Sequence, residues 1–137
     1  MNERFEEIEH TADIAIRVRG RDLAELFANG AYGMACQLAD PDVVDQTAER
    51  SIELDAYDAE TLLVAWLGEL LYLGERDGCV FTDFDMLEVT STWLRAVARG
   101  GPVPAGEHRS HIKAVTFNEL EIVRTGEGYE TTVVFDV

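Results

Sequence analysis

The residues able to do chemistry gather at a few places in this 137-residue chain. His10-Thr11-Ala12-Asp13 is a polar turn just ahead of an alternating apolar run that begins at Ile14. Such a turn uses its hydroxyl and carboxylate to bond nearby backbone, as in Asx and ST turns, or offers them to a ligand. Val133-Val134-Phe135-Asp136-Val137 is a strongly β-favouring segment that puts a side-chain carboxylate beside the terminal one. Chain ends ordinarily fray, so a terminus held in a sheet calls for a reason. Lys113 is the only lysine, beside Ala114 and Val115 in a strand-like pattern. Its plain role is a solvated strand face or a partner for a carboxylate. His108 and His111 have a spacing that metal sites use, but without further ligands they read as surface histidines. Cys36 falls inside a helical apolar pattern and reads as a packed thiol, not a nucleophile. There is no Gly-rich phosphate loop, G-x-S-x-G elbow or H-E-x-x-H pair.

Two helices and a set of strands must position these groups. Asp22-Leu-Ala-Glu25 reads as an N-cap with an acidic residue three positions on, a variant of the capping box. Behind it Leu23, Leu26, Phe27, Gly30, Ala31, Met34 and Leu38 recur at three- and four-residue spacing, giving one apolar face. Gly30 and Gly33 each cost about 1 kcal/mol against Ala inside a helix, and close packing on a sheet is the expected reason. The helix stops near Ala39, before Asp40-Pro41. A second helix starts at Asp58, carries Leu62, Leu63, Trp66, Leu67, Leu70 and Leu73, and ends before Gly78. It is apolar over more than half its circumference, which marks a core helix with Trp66 inside.

Strand patterns run through Ile14–Val18, Ile52–Ala56, Val80–Val89 and Trp93–Arg99. Ile112–Val123 and Tyr129–Val137 flank Gly126-Glu127-Gly128 as a closing hairpin. The expected class is α+β, a two-layer sandwich with two main helices packed on a largely antiparallel sheet. Length predicts one domain over residues 1–137, large enough to bury about two-thirds of its unfolded surface.

Composition narrows the function. At 47% hydrophobic and 28% charged residues the chain is globular, not disordered. Its longest apolar run, near Leu62–Leu67, falls far short of the ~20 residues that span a bilayer. The N-terminal residues lack the basic start and apolar stretch of a signal peptide, and Cys36 and Cys79 are too few for a disulfide framework. A cytoplasmic monomer with reduced thiols is the expectation. Twenty-seven acidic residues against 11 basic ones give a net charge of −16. Nucleic-acid binding depends on Lys and Arg neutralising phosphates, so stable direct binding to nucleic acid is not expected. A role near RNA must run through a protein partner or a metal ion. A carboxylate-rich, lysine-poor surface also suits a high-salt cytoplasm, where ions screen the self-repulsion.

Five segments together carry a family resemblance. Glu9-His10-Thr11-Ala12-Asp13, the helix start Asp22–Phe27, Trp66-Leu67-Gly68-Glu69-Leu70-Leu71-Tyr72-Leu73, Lys113-Ala114-Val115-Thr116-Phe117 and Phe135-Asp136-Val137 occur in order over essentially the whole chain. In these the chain resembles the archease family. The resemblance implies a non-catalytic accessory protein of the GTP-dependent RNA ligase of tRNA splicing and RNA repair, one that promotes ligase guanylylation and turnover. It also implies a divalent-metal site, with calcium first and manganese or magnesium as alternatives. Its ligands map to Asp13, Asp136 and the α-carboxylate of Val137. Lys113 maps to the lysine associated with ligase activation. His10 is tied to the same role, shaping the turn, since imidazole is a poor ligand for hard ions.

Physical chemistry is compatible with that mapping. Like charges ~4 Å apart at an effective dielectric of 20 repel by about 4 kcal/mol. Three clustered carboxylates therefore favour a hard cation with all-oxygen ligation. The chain departs from the family at His111, where an acidic residue is common, and at Asn118, where a histidine is. The alternative reading is a general chaperone-like partner of tRNA-modifying enzymes such as methyltransferases. A stand-alone hydrolase lacks an identifiable base.

Overall fold

The computed structural model describes residues 4–8 and 13–137. Along the chain come β1 (Phe5–Ile8), β2 (Ile14–Gly20), α1 (Leu23–Leu38), a 3-10 turn (Pro41–Val43), β3 (Ala48–Asp55) and α2 (Ala59–Asp77). After these come β4 (Val80–Val89), β5 (Trp93–Gly101), β6 (Ala114–Thr116), β7 (Val123–Thr125) and β8 (Gly128–Asp136).

Both helices start and stop where their side chains dictate. The Asp22 carboxylate accepts the Glu25 N–H at 2.8 Å. Glu25 reaches one residue further back than a capping box requires, accepting the Arg21 N–H at 2.9 Å and pairing with its guanidinium. The Arg21 guanidinium first, and its backbone N–H second, hold the Glu25 carboxyl below its usual range. At the start of α2, Asp58 accepts the Thr61 N–H at 2.8 Å. Its far end is closed by Gly78 at φ 68°, a left-handed cap that favours glycine, with the Cys79 N–H donated to the Gly74 carbonyl.

The α+β class with two long helices and antiparallel pairing is as expected from the patterns, but the strands divide into two sheets. One runs β1-β2-β8-β6 with β7 also on β8, and the other runs β3-β5-β4. α1 packs on β2 of the first and β4 of the second. A single apolar cluster joins both, from Ile16 and Phe135 through Phe27 and Trp66 to Ile52 and Ala96. Trp66 is fully buried, donates its indole N–H to the Phe27 carbonyl at 3.0 Å, and meets Phe84 edge-on. Close packing explains Gly33, where a Cβ would lie 2.8 Å from Ile16 Cδ1 and 2.9 Å from Phe5 Cγ. It does not explain Gly30, where the nearest atom would be 3.8 Å away, an ordinary contact.

One strand expectation is overturned. Ile112–Val123 is not continuous but splits into β6 and β7, each pairing with a different part of β8. Between them Phe117–Leu120 forms a turn, with the Leu120 N–H on the Phe117 carbonyl and Glu119 at φ 60°. The hairpin from β7 to β8 has Thr125 paired to Gly128 across Gly126 and Glu127. β1, which the patterns left unassigned, pairs antiparallel with β2.

Candidate functional site

Strand order, not sequence proximity, builds the site. β2 pairs with β8 so that Ile14 lies across from Phe135, and β6 pairs with β8 so that Ala114 lies across from Asp136. One further step of the β2–β8 register sets Asp13 across from Asp136. One further step on the other side sets Lys113 across from Val137. The Lys113 N–H donates to the Asp136 carbonyl at 2.7 Å, so the β6–β8 pairing begins at that lysine. Three neighbouring strands thus end together, carrying Asp13, Asp136 with Val137, and Lys113.

Burial then settles the faces. Phe135 is fully buried, so alternation turns Asp136 outward, where it is exposed. Residues directly opposite in an antiparallel pair share a face, with Cβ atoms about 4.5–5.5 Å apart. Asp13, half-buried just before β2, therefore shares its face with Asp136. The two carboxylates supply hard oxygen donors at adjacent strand ends, and the α-carboxylate of Val137 is one residue further on. Among the described residues no three His, Cys, Asp or Glu side chains cluster as a metal-holding group. Asp13 and Asp136 stand at adjacent register positions on one face. His10 lies outside the described residues, as do Glu9, Thr11 and Ala12 of the same motif.

Lys113 at this end is exposed, as are His111 and Asn118. Asn118 is fixed through its backbone N–H, donated to Thr116 Oγ1 at 3.2 Å. His108 and His111 border an apolar cavity of about 320 Å³ between the helices and the 103–112 segment. A larger, open cleft of about 1050 Å³ lies at the start of α1, beside Arg4, Arg19 and Arg21 together with Asp22, Glu25 and Glu130. Neither includes Asp13, Asp136 or Lys113. Both cysteines are free, and burial pushes both thiols up, which lowers their thiolate fraction.

Arginines are largely spent on carboxylates. Arg17 and Arg19 bridge Glu6 and Glu130 across β1, β2 and β8, Arg99 bridges Glu49 and Asp83, and Arg50 and Arg76 share Asp77. These exposed pairs contribute little stability, but they neutralise the cations that a polyanion would need. No ion pair joins Lys113 to a described residue. Among the described residues, no helix is long and apolar enough to cross a membrane.

Sequence reasoning missed β1 and the Arg-lined cleft. Phe5–Ile8 is short and does not alternate, so it does not stand out, and the cleft collects residues that are 126 positions apart, from Arg4 to Glu130.

The family model described as the archease protein family (MTH1598/TM1083) matches residues 5–137. Protein archease of Methanosarcina mazei is 38% identical, over 98% of this chain and 96% of its own. Protein archease of Sulfurisphaera tokodaii is 33% identical over 98% and 99%. The solution structure of Methanobacterium thermoautotrophicum protein 1598 superposes with a TM-score of 0.82 at 30% identity, covering 99% of this chain and all of that one. A crystal structure of an archease from Thermotoga maritima, described as a possible chaperone, shares the fold with a TM-score of 0.67 at 24% identity, over 95% and 94% of the two chains. Matched from β1 to its last strand, the chain belongs to the archease family.

Proposed function

We propose that this protein is a non-catalytic, cytoplasmic activator of the GTP-dependent RNA ligase of tRNA splicing and RNA repair. It promotes ligase guanylylation and turnover through the acidic strand end, acting as a monomer with the whole chain as one unit. The observation that carries this reading is the meeting of Asp13, Asp136 and Lys113 at one end of β2, β8 and β6, in a member of the archease family.

The donor set fits a hard divalent cation, since adjacent carboxylates on one face repel without one and offer only oxygen. Asp13, Asp136 and the α-carboxylate of Val137 would hold calcium, with magnesium or manganese as alternatives, and the ion's charge would offset their repulsion. Beside them Lys113 presents a compact ammonium to the partner. A surface of net charge −16 can approach a site built for RNA and a triphosphate, because the two potentials are complementary. Its paired arginines do not compete for the RNA itself.

The test is single-turnover guanylylation of the cognate ligase with and without this protein at substoichiometric amounts. Acceleration by the wild type is expected, with loss in Lys113→Ala and partial recovery in Lys113→Arg, since an ammonium and a guanidinium are not equivalent. Lys113→Ala should change stability by no more than about 0.5 kcal/mol, as for other exposed positions. No acceleration by the wild type overturns the reading. Equal improvement of unrelated enzymes, tRNA methyltransferases included, favours a general chaperone instead.

A further inference from the structure

We infer that Phe117 is the hydrophobic anchor by which this protein docks on its partner, entering an apolar pocket with a basic rim on the partner protein. The inference rests on the ligase reading above and adds the residue and the surface that make the contact.

The register of β6 on β8, continued one step, would set Phe117 across from Val133, which is fully buried. The ladder stops at that step, and Phe117 is left 58% exposed. Smaller neighbours are treated differently, for Leu120 and Ile122 pack against the core. The largest apolar side chain of the segment is thus the one turned out.

The turn that does this is braced. The Asn118 N–H donates to Thr116 Oγ1, the Leu120 N–H to the Phe117 carbonyl, and the Ile122 N–H to a Glu60 carboxylate oxygen on α2. Thr131 Oγ1 donates to the Glu121 carbonyl from β8. Glu119 occupies the third position of the turn at φ 60°, where glycine is favoured. Backbone held in a sparsely populated region against local preference collects at functional segments. A rigidly presented aromatic loses little freedom on binding, which is what makes an interface anchor effective.

Charge commits the occupant. Phe117-Asn118-Glu119-Leu120-Glu121 carries two carboxylates and no cation, in a chain of net charge −16. The receiving pocket is therefore apolar inside and rimmed by Lys or Arg. Phe117 is four residues from Lys113, about 13 Å at the rise of a strand. A partner that covers the acidic strand end reaches both.

The test measures binding of the purified cognate ligase to the wild type, Phe117→Ser, Phe117→Trp, Tyr57→Ser and Lys113→Ala, with thermal melts of each. Tyr57, 84% exposed, is the control for an aromatic lacking this role. Phe117→Ser is expected to weaken binding at least about tenfold. Phe117→Trp and Tyr57→Ser should stay within about threefold of the wild type, and no melt should change appreciably. Binding of Phe117→Ser within twofold of the wild type overturns the anchor while leaving the ligase reading intact. Equal weakening by Tyr57→Ser, or a loss in Phe117→Ser matched by its unfolding while Phe117→Trp also fails, overturns it too. If the wild type does not bind the ligase, that reading fails first and the anchor falls with it.

Discussion

Trp66→Ala is the perturbation whose cost follows most directly from the packing. The indole is fully buried in α2, donates to the Phe27 carbonyl of α1, and meets Phe84 of β4 with ring centroids 6.0 Å apart. Truncating a buried Trp costs about 3–5 kcal/mol, transfer and cavity terms together. The Phe27 carbonyl sits within α1 and keeps its helical partner, so loss of the indole bond adds little to the upper end. Against a total stability of about 5–15 kcal/mol, that is a large share. At about 3–4 °C per kcal/mol for this chain length, the melting point should fall by roughly 9–20 °C. Trp66→Phe keeps most of the volume and should lose about 1–2 kcal/mol, the indole bond and a small void. Urea titration followed by far-UV circular dichroism gives the free energies, and Trp93 remains as a fluorescent reporter in both variants. A Trp66→Ala protein that melts within 2 °C of the wild type yet fails to activate ligase would refute the core assignment and make the ring a partner contact.

The two helical glycines should diverge. Gly30→Ala meets only ordinary contacts and should stabilise by about 0.5–1 kcal/mol, whereas Gly33→Ala drives a Cβ into Phe5 and Ile16 and should cost about 1–3 kcal/mol by chemical denaturation. Hydrogen bonding by the Thr61 side chain first, and by its N–H second, holds the Asp58 carboxyl below its usual range, so the unfolded state binds more protons. That stability is present above about pH 4 and lost as pH falls through the lowered value. Melting curves from pH 7 to pH 2.5 should show the advantage of wild type over Asp58→Asn vanishing at the acid end, and a constant difference refutes it. Calcium titration by calorimetry should show tight binding in the untagged protein, weaker binding in Asp13→Asn, and loss in Asp13→Ala, Asp136→Ala and a C-terminally extended form. Equal affinity in untagged and extended forms eliminates the Val137 carboxylate.

Helices were legible because their signals are local. Asp22 and Asp58 each announce a cap, Gly78 a left-handed stop, and the three-four spacing of the leucines a buried face, all within one or two turns of chain. The strands β4 and β5 were legible for the same reason. The 112–123 segment was not, because Ile112, Val115, Phe117, Leu120 and Ile122 are spread along it with no Gly or Pro to mark a break. What interrupts it is tertiary: Glu60 of α2 and Thr131 of β8 capture the backbone of Ile122 and Glu121 and hold the turn open. Nor could the patterns divide the strands into two sheets, because α1 takes one on β2 and the other on β4 through contacts far apart in sequence.

The candidate site stands in the same relation to its sequence. Asp13, Lys113 and Asp136 were each noticeable alone, yet 100 residues separate the first two and 23 the last two, and no local signal joins them. Their assignment to one site came from family resemblance. What brings them together is the insertion of β8 between β2 and β6, together with two registers that happen to end at the same level. A shift of one residue in the β2–β8 register would turn Asp13 to the face opposite Asp136. That register is set by burial of Ile16 against Val133 and of Val18 beside Thr131, well inside the core. The apolar positions of β2 and β8 therefore do more than stabilise the sheet: they fix which two carboxylates stand side by side at its end.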